Sequence, residues 1–397
     1  MKTFCQSPTE PAFVQNPYPF YEAARLSGPF FHWHDYDLTC TGNAAAVNAI
    51  FRDRRFGREC PPELAPVIPP HLAPFYAVEA HSMLELEPPR HTRLRGLVLR
   101  AFTSRRIAAL APEIETLSHQ LVDAFPNGDF DLLAEFGQKL PVIIIARLLG
   151  VPEAMAPDLL RWSNAMVGMY MANRADLSEN RAREDRAIAA TEAFVAFLRA
   201  YVDARRAQPA DDLITHLIAA EEHGERLSTD ELITTCILLL NAGHEATVHT
   251  IGNGVKAVLE TGTQGALLAD PELATEEILR FDPALHMFTR WAYEPVEVMG
   301  RTFQRGERVG LLLAAANRDP GPWDEPDRFD PARPIKANAT FGGGLHFCVG
   351  APLTRLELQI ALPILFQRLP GLRLAEAPVY ADVYHFHGLK RLLVTAS

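Results

Sequence analysis

Cys348 sits where a glycine-rich run meets an apolar one, and it carries the clearest chemistry in this 397-residue chain. The stretch Phe341–Glu357 reads FGGGLHFCVGAPLTRLE, a loop-forming half followed by a helix-forming half. A cysteine placed there faces the free N–H groups of a first helical turn, those of Val349, Gly350 and Ala351. With the positive end of the helix dipole, these donors favour the thiolate, the form that binds a metal. Gly342–Gly344 let the loop take positive φ and press its backbone against a flat ligand, and Gly350 removes a side chain where the helix start passes the same ligand. The plain alternative is a small buried hydrophobe. It leaves Phe341, His346 and the glycines at fixed offsets without a reason.

The pattern F-x-x-G-x-H-x-C-x-G resembles the haem-binding loop of the cytochrome P450 family, whose iron is held by a cysteine thiolate. Phe341, His346, Cys348 and Gly350 are the matching positions. Glu277 and Arg280 form a Glu-x-x-Arg turn, and Phe329–Arg333 (FDPAR) supplies a later arginine. In the family such residues pair to hold the core beneath the haem, so the resemblance implies a structural role for Glu277, Arg280 and Arg333. His91–Arg95 (HTRLR) follows Glu87-Pro88-Pro89 and resembles the family's H-T-R-L-R helix. By that resemblance His91, Arg95, Arg290 and His346 partner the haem propionates, carboxylates that call for fixed cationic donors. Alone, each is equally an ordinary solvated face. His91 and Arg95 lie four apart on one helix face, as a shared ligand requires.

Leu240–Thr247 (LNAGHEAT) lies inside a long helical pattern. Gly243 costs about 1 kcal/mol there relative to alanine, so a packing or ligand reason is expected. The segment resembles the family's oxygen-binding A-G-x-[DE]-T groove, which implies catalytic roles for Gly243 and Glu245. It departs at the next residue. Ala246 stands where the family has threonine, and a hydroxyl returns only at Thr247, about 100° further round the helix. The resemblance therefore implies dioxygen binding at Gly243 without the usual proton-delivery hydroxyl. A polar group on the substrate, or a water it orders, is expected to complete the relay from Glu245; the alternative is that Thr247 or His244 reaches the site through a distorted helix. Substrate contacts carry over as regions only: the Pro-rich loop before Pro88, Met166–Met171, the groove of the long helix, His286–Thr289 and the turn around Phe386.

Around these residues the pattern is mainly helical. Helices are expected at Asn16–Arg25, Asn43–Arg52, Pro271–Phe281 and from Ser228 to about Glu260, the last opened by a Ser228/Glu231 capping box and followed by Gly262. At 1.5 Å per residue that long helix spans roughly 48 Å. Between Pro89 and Ala207 the pattern is helical with breaks at Pro126–Gly128 and Gly150–Pro152, and Leu140–Leu149 is apolar nearly all round. Asn180–Arg186 reads as a solvated helix face. Phe30–Cys40 reads as strand, Cys60–Tyr76 with six prolines as loop, and Gly371–Val394 as short strands and turns. Pro295–Ala315 reads as VEVMG paired with ERVGLLLAA about a turn near Gln304–Glu307.

Hydrophobic residues make up 48% of the chain, enough for a core that encloses a cofactor, and the net charge of −11 argues against nucleic-acid binding. Five scattered cysteines with no C-x-x-C pair argue against zinc ribbons, iron–sulfur loops and a disulfide framework. Neither a signal segment nor an apolar run of membrane-spanning length is present, so a cytoplasmic location away from membranes is expected.

The resemblance runs from about Asn16 to Val394 and implies one cytochrome P450-like domain, 1–397, mainly α with a smaller β region, enclosing one haem b (iron protoporphyrin IX). Helix-rich parts are expected at about 89–290 and 349–370, and β-rich parts at about 28–42, 293–316 and 371–397. Cys348 is the implied axial ligand. The implied reaction is insertion of one oxygen atom from O₂ into a small to medium, largely apolar organic substrate. Electrons would come from a ferredoxin-type donor and its reductase, docking through Arg93, Arg100, Arg105 and Arg106. Two alternatives stand beside this: a peroxide-using, coupling or rearranging haem-thiolate enzyme, and a non-catalytic haem sensor.

Overall fold

Phe31–Trp33 and Leu38–Thr41 are two short antiparallel strands in the computed structural model, turned through a 3₁₀ segment and Asp37 at φ 46°, where the sequence pattern predicts one continuous strand. The structure describes residues 1–171, 177–222, 224–382, 384 and 386–396. They form two compact units. One comprises Met1–Leu64, Glu115–Gly137 and Ala246–Ser397, the other Ala65–Ile114 and Gln138–Glu245.

The first unit is built on a six-stranded mixed sheet. Its strand order is Lys2–Phe4, Phe31–Trp33, Leu38–Thr41, Arg308–Leu312, Met287–Ala292, Phe56–Gly57. Alternation along the strands sends side chains to two separate cores. Phe56, Ala292, Val309 and Leu311 pack with Ala46, Ile50 and Phe51 of the helix Ala44–Arg52, whereas Phe31, Trp33, Leu38 and Leu312 pack with Phe13 and Tyr21. The helix Ala44–Arg52 begins where Asn43 Oδ1 accepts the Ala46 N–H at 3.0 Å.

The expected pairing of VEVMG with ERVGLLLAA does not form. Val296–Val298 instead folds back on Arg301–Phe303 through Met299 and Gly300, both at positive φ, a tight two-residue hairpin. Arg308–Leu312 pairs with Met287–Ala292 and, in parallel, with Leu38–Thr41. Met287–Ala292 is thus a strand that starts inside the stretch expected to be helix-rich.

Two helices of this unit flank the cysteine loop in sequence or by hydrogen bond. Pro271–Phe281 has the bounds expected from the sequence, capped by Asp270. Glu277 holds both Nε and a terminal nitrogen of Arg280 at 2.7 Å, and Arg333 Nε lies 3.2 Å from Glu277 Oε2. Arg280 also donates to the carbonyls of Asn317 and Pro326 at 2.9 and 2.8 Å. Glu277 and Arg280 are buried, so this is a desolvated pair whose remaining donors are satisfied by backbone. The long helix runs unbroken from Thr229 to Thr261, and Ala351–Arg368 follows the cysteine.

Among its described residues the second unit is helical apart from the short hairpin Glu221–Glu222/Glu225–Arg226. Lys139–Leu149 is buried nearly all round, as its composition predicts. The capping box that opens the long helix is present: Ser228 N–H donates to Glu231 at 2.9 Å and Glu231 N–H to Ser228 Oγ at 3.2 Å. Arg93, in the helix Arg90–Ala101, completes it by pairing with Glu231. Burial would raise the Glu231 carboxyl, but the Ser228 N–H and the Arg93 guanidinium hold it below the usual range. Cys60–Tyr76 is not one loop: it carries 3₁₀ turns at Pro62–Leu64 and Pro70–Leu72, then enters the helix Ala73–Glu79.

Candidate active site

The loop that ends at Cys348 is seated on the helix Ala44–Arg52. Gly342 and Gly344 take φ of +67° and +65°. Gly343 is extended, and a Cβ on it would lie 3.1 Å from the side chain of Phe51. A Cβ on Gly344 would collide with the Phe51 carbonyl oxygen. Gly343 and Gly344 therefore allow close packing of the loop on the helix, and the positive φ expected of the run is present at Gly342 and Gly344. The loop is closed by Cys348 N–H donating to Phe341 O at 3.0 Å. Its entry is tied to the Glu277 helix, because Thr340 Oγ1 donates to Leu279 O at 2.6 Å and accepts from Asn317 Nδ2 at 2.9 Å.

Cys348 lies two residues before Gly350, the N-cap of the helix Ala351–Arg368. A Cβ on Gly350 would meet only Cys348 Sγ, at 3.8 Å, so the sulfur is turned towards the helix start. Cys348 is partly exposed, whereas Cys40 and Cys236 are buried and kept as thiols by that burial, Cys236 up to about 12. Phe341 stacks under Arg355, whose guanidinium carbon is 4.7 Å from the ring centroid and which also pairs with Glu276. Further along the same helix, burial alone pushes the Glu357 carboxyl up to about 8.

Phe51 and Phe288 carry cations as well as glycines. Arg290, buried on Met287–Ala292, lies 5.0 Å from the Phe51 centroid and donates to Thr289 O at 2.8 Å. Arg58 lies 5.4 Å from the Phe288 centroid, while Gly342 would place a Cβ 3.5 Å from that ring. His346 ends the 3₁₀ turn Gly344–His346. Of the predicted residues, this unit brings Phe341, His346, Cys348, Gly350 and Arg290 together around one loop. Arg58 and the two phenylalanines are additions. A lone arginine in a loop and two phenylalanines carry no pattern from which sequence reasoning could have chosen them.

The other unit holds His91 and Arg95 one turn apart on the helix Arg90–Ala101, His91 buried and Arg95 half-buried. A Cβ added to Gly243 would meet no heavy atom within 4 Å, so packing does not account for this glycine. His244 is buried with Nε2 3.3 Å from Gln138 O, and its Nδ1 lies 3.8 Å from the half-buried Glu245 carboxylate. The helix continues without a break through Ala246 and the buried Thr247, and Thr250 Oγ1 donates back to Ala246 O at 2.7 Å. Of the expected donor-docking arginines, Arg93 is paired with Glu225 and Glu231, and Arg106 lies by Asp211 and His216, while Arg100 and Arg105 are exposed. Met166 is buried against Asn241, with Nδ2 3.9 Å from its sulfur; the side chain of Met171 lies outside the described residues.

The donor set fits a haem. A partly exposed thiol at the start of an 18-residue helix suits thiolate ligation, and the buried Arg290 beside the loop suits a carboxylate-bearing ring. A fold of this kind with a cysteine loop of this kind defines the haem-thiolate class. The cytochrome P450 family model matches residues 272–370. The chain is 38% identical to the vitamin D(3) 25-hydroxylase of Pseudonocardia autotrophica over 96% of its own length and 94% of that protein's. It is 36% identical to the cytochrome P450 monooxygenase PikC of Streptomyces venezuelae, over 92% of this chain and 87% of that one. Among solved structures it is similar to P450BioI, captured with a hexadec-9Z-enoic acid ligated acyl carrier protein, with a TM-score of 0.89, 31% identity, and coverage of 98% of this chain and all of that one. The chain belongs to the cytochrome P450 family and is a P450 monooxygenase.

Proposed function

We propose that this monooxygenase inserts one oxygen atom from O₂ into a small to medium, largely apolar organic substrate, with electrons from a ferredoxin-type donor and its reductase. The observation that carries the reading is Cys348, a partly exposed thiol turned to a helix N-terminus at the end of a loop that packing holds rigid. The molecules named with the relatives, vitamin D(3) and a hexadecenoyl chain, are predominantly hydrocarbon and support an apolar substrate. Haem b, bound through the Cys348 thiolate, would supply the oxygen chemistry.

The chain's own residues have separable tasks in this reading. His91, Arg95, Arg290 and His346 neutralise the two propionates, and Phe341 and Gly350 shape the loop about the sulfur. Gly243 leaves the helix surface bare where dioxygen must fit. Glu245 is the carboxylate that takes protons from solvent, half-buried and ready to pass them on at Oε2. Ala246 offers no hydroxyl, and Thr247 lies about 100° further round the helix, so a polar substrate group or a water it orders is the next station.

The test is substrate-dependent NADH consumption with a surrogate ferredoxin and reductase under isotopically labelled O₂. The reading expects one labelled oxygen per product. Product formed only with added peroxide, or product gaining no oxygen, would favour the peroxide-using or coupling enzyme that the Ala246 substitution keeps in play.

A further inference from the structure

Far along the chain from the cysteine loop, three buried residues of the first unit converge without bonding to one another. Asp282 closes the helix Pro271–Phe281, His286 precedes the strand Met287–Ala292, and His387 precedes Leu389–Arg391. One donor atom from each lies within 4.8 Å of the other two. His387 Nε2 is 3.5 Å and His286 Nε2 is 3.9 Å from Asp282 Oδ1, both beyond hydrogen-bond length. Both nitrogens are buried and have no hydrogen-bond partner among the described residues.

These separations distinguish two occupants. A water bonded at about 2.8 Å to tetrahedral neighbours holds them about 4.6 Å apart. A zinc-sized ion with bonds of about 2.0–2.1 Å holds its ligands about 3.4 Å apart. The two nitrogen–oxygen gaps are nearer the second value. The imidazoles are tilted 35° with centroids 4.2 Å apart, and closing the remaining gaps onto one ion calls for adjustment along the soft χ2 torsions.

The surroundings are those of a ligand set. Tyr18 and Tyr380 donate to the two oxygens of Asp282, each at 2.5 Å, fixing the carboxylate. His286 Nδ1 lies 2.9 Å from Tyr21 Oη, so donation there leaves Nε2 as the free lone pair. Outer-shell bonds of this kind orient metal ligands elsewhere. Asn253 Nδ2 donates to the carbonyls of Asp282 and His387 at 3.1 and 2.9 Å, tying two ligand backbones to the long helix. Burial depresses both imidazoles, His286 strongly, which keeps them neutral as ligands must be.

We propose that Asp282, His286 and His387 form a structural binding site for one divalent first-row transition metal, with two imidazoles, one carboxylate and a fourth position left to water. The ion would clasp the C-terminal turn at Phe386, which bridges Leu285, to the end of the Glu277 helix.

The test uses the haem-loaded enzyme, cleared of loose metal with a chelator and titrated with Zn²⁺ by calorimetry, followed by zinc-edge X-ray absorption. The expected result is one zinc per chain, a shell containing two imidazoles at about 2.0–2.1 Å, and a raised melting temperature. His387→Gln should weaken binding at least 100-fold. Tyr21→Phe leaves all three ligands in place and should weaken it by about tenfold, which keeps the test informative if the ligand variant folds poorly. No saturable zinc in the wild type, a shell lacking imidazole pairs, or unchanged affinity in His387→Gln would overturn the site.

Discussion

Gly344 presses on the carbonyl of Phe51 so closely that the hydrogen in place of a side chain is what allows the contact. Its φ of +65° is also one that residues with a Cβ rarely adopt. The cysteine loop is thereby locked to the helix Ala44–Arg52 before any cofactor is considered. Cys348 owes its position to that packing as much as to its own helix.

Gly344→Ala should combine left-handed strain of about 1–2 kcal/mol with overpacking of about 1–3 kcal/mol. Urea unfolding should show a loss of several kcal/mol together with reduced haem content. Gly342→Ala, with only an ordinary 3.5 Å contact to Phe288, should cost the strain alone. Equal losses in the two variants would mean that the Phe51 contact is not what fixes the loop.

Glu357 ties stability to pH. Its folded carboxyl, pushed up to about 8 by burial, holds a proton that the unfolded chain releases near pH 4.3. Between those values the folded state binds more protons, so stability falls as pH rises. Glu357→Gln keeps the shape and removes the titration. Its stability relative to wild type should climb from pH 5 to 8 by an amount on the order of a few kcal/mol. A pH-independent difference would show that the carboxyl is ionised in the folded protein.

Coupling of oxygen uptake to product should depend on a polar group of the substrate. An analogue lacking that group should divert the wild type towards peroxide, and Ala246→Thr should restore part of the yield. Equal coupling for both compounds in wild type, with collapse in Thr247→Ala, would assign the relay to Thr247. The unbroken helix and the bond from His244 to Gln138 O argue for the first outcome.

Much of this architecture is legible in sequence where the signal is local. The Ser228/Glu231 box and the Pro271–Phe281 bounds follow from caps and punctuation within a few residues. Glu277, Arg280 and Arg333 followed from ordered motifs. The pairing of Arg308–Leu312 was not legible, because its partner Leu38–Thr41 lies some 270 residues away and β-branched runs do not name their neighbours. The hairpin at Met299–Gly300 was missed because a methionine at φ 47° is a poor advertisement for a turn. Arg58, Phe51 and Asn253 gain their roles only from register. The glycines of the loop were recognised, but their contact with Phe51 was not.

The carbon monoxide difference spectrum of the reduced protein, wild type beside Cys348→His, tests the central claim most directly. The account predicts that wild type shows the red-shifted band of thiolate ligation and that the variant keeps haem but loses that band. The same band in Cys348→His would place the axial ligand elsewhere and contradict the assignment.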